Sequence, residues 1–222
     1  MILEGKPKDL SERSISMDYK QICRKSSVLF RWMYRVTLIS ALISALIGLL
    51  EVLRLVNWTT ATVSVYAAIL CVLPGISYGV LLILLTPFER GYLVAGITTL
   101  LGAVLSVVAV VISIADSFDT GIFYYVAAIL VSLISMHFEL KSHTGAMEEI
   151  HEDMHKAWRK MFIWFYAILV FTLLEFLAAF GFSPTVVEIA FWLLLVFSLV
   201  FYIKKILYLK RTSEILALEA KG

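Results

Sequence analysis

Six stretches of the chain are long apolar runs, and polar or turn-forming segments separate them. A helix that is hydrophobic all round belongs in lipid or in a deep core. Crossing the hydrocarbon layer takes about 20 such residues. The runs lie near 36–56, 61–85, 92–114, 122–136, 161–181 and 186–203. Turn chemistry falls between them, at Asn57-Trp58-Thr59-Thr60, Thr86-Pro87, Asp116 to Asp119 and Phe182-Ser183-Pro184. Pro184 suits the first position of the last helix, where its missing N–H has no partner to lose. The pattern predicts an all-α polytopic membrane bundle of six transmembrane helices, arranged as three helical hairpins.

The polar segments divide the chain further. Residues 1–35 form a cytoplasmic N-terminal segment, in which Ile15, Tyr19 and Ile22 recur at helical spacing. Two readings fit, an amphipathic helix on the membrane surface or a disordered tail. Residues 36–136 hold the first four spans and 161–203 the third hairpin. Between them, 137–160 is a cytoplasmic polar connection, expected as helical stalks reaching into water. Residues 204–222 make a cytoplasmic tail. The first apolar run follows a long basic segment, so no cleavable signal peptide is expected.

Composition agrees with this pattern. The chain has 222 residues, of which 61% are hydrophobic and 16% charged, and its mean hydropathy is +0.91. Such a balance describes a largely lipid-facing chain. Six alternating spans leave 18 of the 19 Lys and Arg residues on one side, with only Arg54 on the other. The positive-inside rule then places both termini in the cytoplasm of a multi-pass cell-membrane protein. The basic segments, especially Lys20 to Arg35 and Lys204 to Arg211, suit anionic lipid headgroups better than nucleic acid. A homo-oligomer or a membrane-protein partner fits the small-residue edges of the spans, such as Ser40, Ser44 and Gly48. Cys23 and Cys71 have no mate nearby, which argues against a disulfide framework.

An internal repeat supports the hairpins. A shift of 124 positions aligns Leu49-Leu50-Glu51 with Leu173-Leu174-Glu175, without a gap. The middle hairpin has no matching acid, and Thr98, Thr99 and Ser106 occupy its span.

Three constellations carry chemistry. Glu51 and Glu175 are acids within spanning runs, where a charge needs a partner, a watery cavity or a proton. Arg54, three residues from Glu51, is able to pair with it and to bridge both acids. The trio reads as a structural ion-pair knot or as a cation or proton site near the outer mouth. Pro74-Gly75 interrupts the second span; a break of this kind marks either a packing kink or a transport site. His151-Glu152-Asp153-Met154-His155 matches the H-E-x-x-H pattern of zinc peptidases. Glu175 lies too far along a continuous helix to complete that set, about 30 Å from His155 at 1.5 Å per residue. His143 and Glu148 remain as further ligands for an adventitious or regulatory zinc, and a solvated helix explains the same residues without metal. No cofactor is otherwise expected, and no phosphate loop, dinucleotide fingerprint or nucleophile arrangement is present.

These readings lead to a non-enzymatic membrane protein, a transporter or channel-like protein for a small solute or cation. The alternative is a scaffold, accessory subunit or sensor that presents cytoplasmic helices to a partner. A membrane metalloprotease acting through His151 and His155 is the remote third reading.

Overall fold

The structure, a computed structural model, describes residues 10–52, 61–115, 118–178 and 184–221. These residues form six helices and no strand: α1 Leu10–Val52, α2 Ala61–Leu84, α3 Gly91–Ala115, α4 Phe118–Met147, α5 Glu152–Ala178 and α6 Pro184–Glu219. Pro184 opens α6, where its fixed φ is already helical. Each helix packs on the next in sequence, and α6 packs back on α1, which closes a ring.

Four of the six helices are long and apolar enough, among the described residues, to cross a membrane: α1, α3, α4 and α6. In α2 the apolar described portion is shorter, Val72–Leu84. Large apolar side chains such as Leu42, Leu46, Phe123, Phe171 and Leu193 stand more than half exposed. Exposed apolar surface on this scale has no place in water and suits acyl chains.

The polar ends differ from the sequence expectation. Residues 10–35 neither form a separate surface helix nor a tail, because α1 runs without interruption for 43 residues. Residues 137–160 do not reach into water as stalks. Instead α4 continues to Met147, a tight turn follows, and α5 begins at Glu152. Leu140, His143, Met147, Met154 and Trp158 from this stretch are buried. The cause is amphipathicity in both halves: Lys141, Glu148, Glu149, Arg159 and Lys160 remain exposed while the opposite faces meet. Phe30 and Met33 of α1 and Leu209 and Leu216 of α6 complete this core. The densest packing therefore sits at the end carrying the α2–α3 and α4–α5 turns, called the inner end below.

Near that end α2 and α3 touch backbone to backbone. A Cβ built on Gly96 would lie 2.7 Å from the Gly79 carbonyl oxygen and 2.9 Å from the Ile83 nitrogen. Glycine at this crossing is a steric requirement.

Candidate functional site

The polar stripe of α4 organises the site. Ser135, Glu139, Ser142 and His143 recur at helical spacing on one face, and all are buried. Glu139 is 2% exposed, so its charge requires compensation. Lys205 of α6 supplies it: Nζ lies 2.8 Å from Oε1 and 2.9 Å from Oε2. The Tyr78 hydroxyl of α2 donates to Oε1 as well. One turn along α4, His143 Nε2 lies 3.2 Å from the same oxygen. Because α2, α4 and α6 are not neighbours in the ring, these bonds cross its interior and tie alternate helices together.

His143 extends the network into the core. A carboxylate only accepts, so Nε2 carries the proton, and Nδ1 meets the Tyr92 hydroxyl at 2.7 Å. A second buried cation beside Lys205 would have only one carboxylate to share. The neutral imidazole, accepting from Tyr92, avoids that excess charge and satisfies every group. Its ring lies on Trp158, with centroids 4.2 Å apart, and against Phe30 at 5.3 Å. Trp158 Nε1 in turn donates to Thr212 Oγ1 of α6 at 3.1 Å. All six helices thus contribute a side chain to one satisfied cluster.

A cavity of about 340 Å³ opens beside the ion pair. Tyr78, Met136, Glu139 and Lys205 form its floor; Val72 and Gly75 of α2, Thr99 and Ser106 of α3, and Ser132 and Ser135 of α4 are among its walls. On α2 and α4 these wall residues lie one or two turns farther from the inner end than Tyr78 and Glu139. The walls are mostly small or hydroxylic, and among the described residues the only charged side chains lining the space are those of the pair.

The residues singled out from sequence have varied places. Arg54 lies outside the described residues, as do the side chains of Glu51 and Glu175. The α2 helix stays continuous through Pro74 and Gly75, and Gly75 borders the cavity. The candidate zinc residues are engaged separately. His143 is bound within the ion-pair network, and Glu148 is exposed. His151 precedes α5 rather than lying within it, and its Nδ1 accepts from the Met154 backbone N–H at 3.3 Å, as an N-cap does. Glu152 and Asp153 fill the first turn, where the helix dipole favours acids. Glu152 pairs with exposed Lys156 at 2.5 Å, which holds its carboxyl below the usual range. His155 Nδ1 lies 3.0 Å from the Thr144 carbonyl oxygen. Among the described residues, no group of three or more His, Cys, Asp or Glu side chains is placed to hold a metal. In this chain the H-E-x-x-H letters spell the start of a helix.

Sequence reading missed Glu139 and Lys205, because both fell just beyond the ends assigned to spans. The spacing of Ser132, Ser135, Glu139 and His143 was the available signal: one polar stripe continuing from the apolar run into the supposed connection. The chain matches no protein-family model, no curated protein and no solved structure.

Proposed function

We propose that the chain is a six-span, non-enzymatic membrane protein that passes a small solute through the cavity between α2, α3 and α4. The observation that carries this reading is the cavity itself, whose largely apolar walls carry several hydroxyls and end on a buried ion pair. Intramembrane charges are costly to place in hydrocarbon and recur along solute paths. A site of this volume falls at the small end of ligand pockets, which span about 300–1,000 Å³.

Both termini are assigned to the cytoplasm, since 18 of 19 basic residues then lie at or beyond the inner end, buried Lys205 among them. The inner end also carries a groove lined by Arg24, Lys25, Val28 and Leu84, a combination of charge and apolar wall suited to anionic lipid. In a background with Cys23 and Cys71 replaced by alanine, a membrane-impermeant thiol reagent on intact cells should label Asn57→Cys and spare Lys221→Cys. Labelling of both, or of Lys221→Cys alone, would overturn the topology.

Transport is tested with Gly75→Leu. Among the described residues, a Cβ at Gly75 has only Ala103 Cβ within 4 Å, at 3.9 Å, so the longer side chain has room to enter the cavity. In reconstituted liposomes screened by osmotic light scattering, wild-type protein should accelerate the entry of at least one small solute. The folded Gly75→Leu protein should return the rate to that of empty vesicles. Equal rates in the two proteins would remove the cavity from the pathway.

A further inference from the structure

We infer that the solute class is small, uncharged and rich in hydrogen-bond donors, such as a short polyol or an amide; this inference rests on the transport reading above. Charge balance is the first argument. The Glu139 carboxylate and Lys205 ammonium neutralise each other in a two-point contact, and Tyr78 and His143 also donate to Oε1. Among the described residues, the site offers no net charge to an entering ion. A cation would face Lys205, an anion would face Glu139, and either would have to part the pair to gain compensation.

The walls supply the second argument. A hydroxyl has one proton to give. Thr99 Oγ1 and Ser135 Oγ each lie 2.8 Å from the Ala95 carbonyl oxygen and 2.5 Å from each other. Ser106 Oγ donates to the Gly102 carbonyl at 2.9 Å. The protons of these three hydroxyls are consumed within the wall, and lone pairs are what they have left to offer. Three of the four wall hydroxyls, Ser132 being the fourth, thus offer acceptors, which favours a ligand that brings donors.

The floor supplies the complement. Two N–H groups of Lys205 go to Glu139, and the third rests on Met136 Sδ at 3.7 Å. A thioether is a weak acceptor, readily replaced by an oxygen. One ligand oxygen at the floor with several O–H or N–H groups along the walls matches this arrangement, and it leaves the ion pair intact. Burying an unmatched polar group carries a penalty, so a ligand of the wrong donor pattern is rejected.

The experiment uses purified full-length protein in liposomes. Entry of glycerol, ribitol and urea is followed by light scattering, in parallel with glycine as a zwitterion and with potassium and acetate as ions. The expected result is accelerated entry of at least one uncharged solute, with the zwitterion and both ions at the rate of protein-free vesicles. Thr99→Val combined with Ser135→Ala should slow that uncharged solute while the protein keeps its unfolding temperature within a few degrees. Accelerated entry of glycine or an ion without the uncharged solutes would overturn the assignment of class and leave transport standing. No accelerated solute in any arm would overturn the transport reading, and this inference with it. Unchanged uncharged-solute entry in the double variant would also overturn the inference, because the wall oxygens would then play no part in recognition.

Discussion

Lys205→Met is expected to destabilise the protein by about 3–5 kcal/mol, the range for removing one partner of a buried ion pair. Lys205 is 4% exposed and holds both oxygens of Glu139. Methionine preserves much of the volume, so lost packing explains little of the effect. What remains is a carboxylate still receiving Tyr78 and His143 but with no countercharge in a poorly polarisable interior. The distinguishing variant is Glu139→Gln combined with Lys205→Met. Removing both charges should recover most of the loss, since the desolvation penalty of the surviving partner disappears. Unfolding of the purified protein, followed by helical signal against temperature in one detergent, measures both. A single variant as stable as wild type would mean that Glu139 takes up a proton or reaches water at no cost, contrary to the buried network described.

Gly96→Ala should destabilise by about 1–3 kcal/mol, the range for overpacking a close contact. A single methyl group is enough here, because its nearest neighbours include backbone. It would meet Ile83 Cγ1 at 2.5 Å, the Gly79 carbonyl oxygen at 2.7 Å and the Ile83 nitrogen at 2.9 Å. A side-chain tip can rotate aside, whereas two helix backbones must separate. The matched control is Gly75→Ala on the same helix pair, where the nearest atom among the described residues lies 3.9 Å away. Alanine there should be neutral or stabilise by up to about 1 kcal/mol through helix propensity. The two variants, unfolded side by side, separate a steric demand for glycine from a general intolerance of substitution. Equal effects would refute the close crossing of α2 and α3.

Much of the fold is local and was readable from residue order. Long apolar runs make helices of membrane-spanning character because hydrocarbon leaves backbone groups no partners outside the helix. Pro184 marks the start of α6 for a reason confined to one residue. The failures occurred where an apolar run passed into a charged one. At residues 10–35 and 137–160, a rise in polarity along the chain does not mean departure from the bundle. Polarity averaged over a window hides which face each charge occupies, and here the exposed charges accompany a buried face built on Phe30, Met147 and Trp158.

The candidate site was beyond local reading. Helical periodicity orders side chains around their own axis, which is enough to put Ser135, Glu139 and His143 on one stripe. It carries no information about the partner that stripe meets. Tyr78 and Lys205 stand 61 and 66 residues from Glu139 in the chain, and the ring of helices brings them to the same carboxylate. The same closure decided that His143 meets Tyr92 and Trp158, and that His151 caps a helix where the letters suggested a metal ligand. Helix content and the distribution of charge along the chain were therefore sequence properties. Which buried charge is neutralised by which, and where a polar space remains beside them, was decided only by the packing of helices distant in the chain.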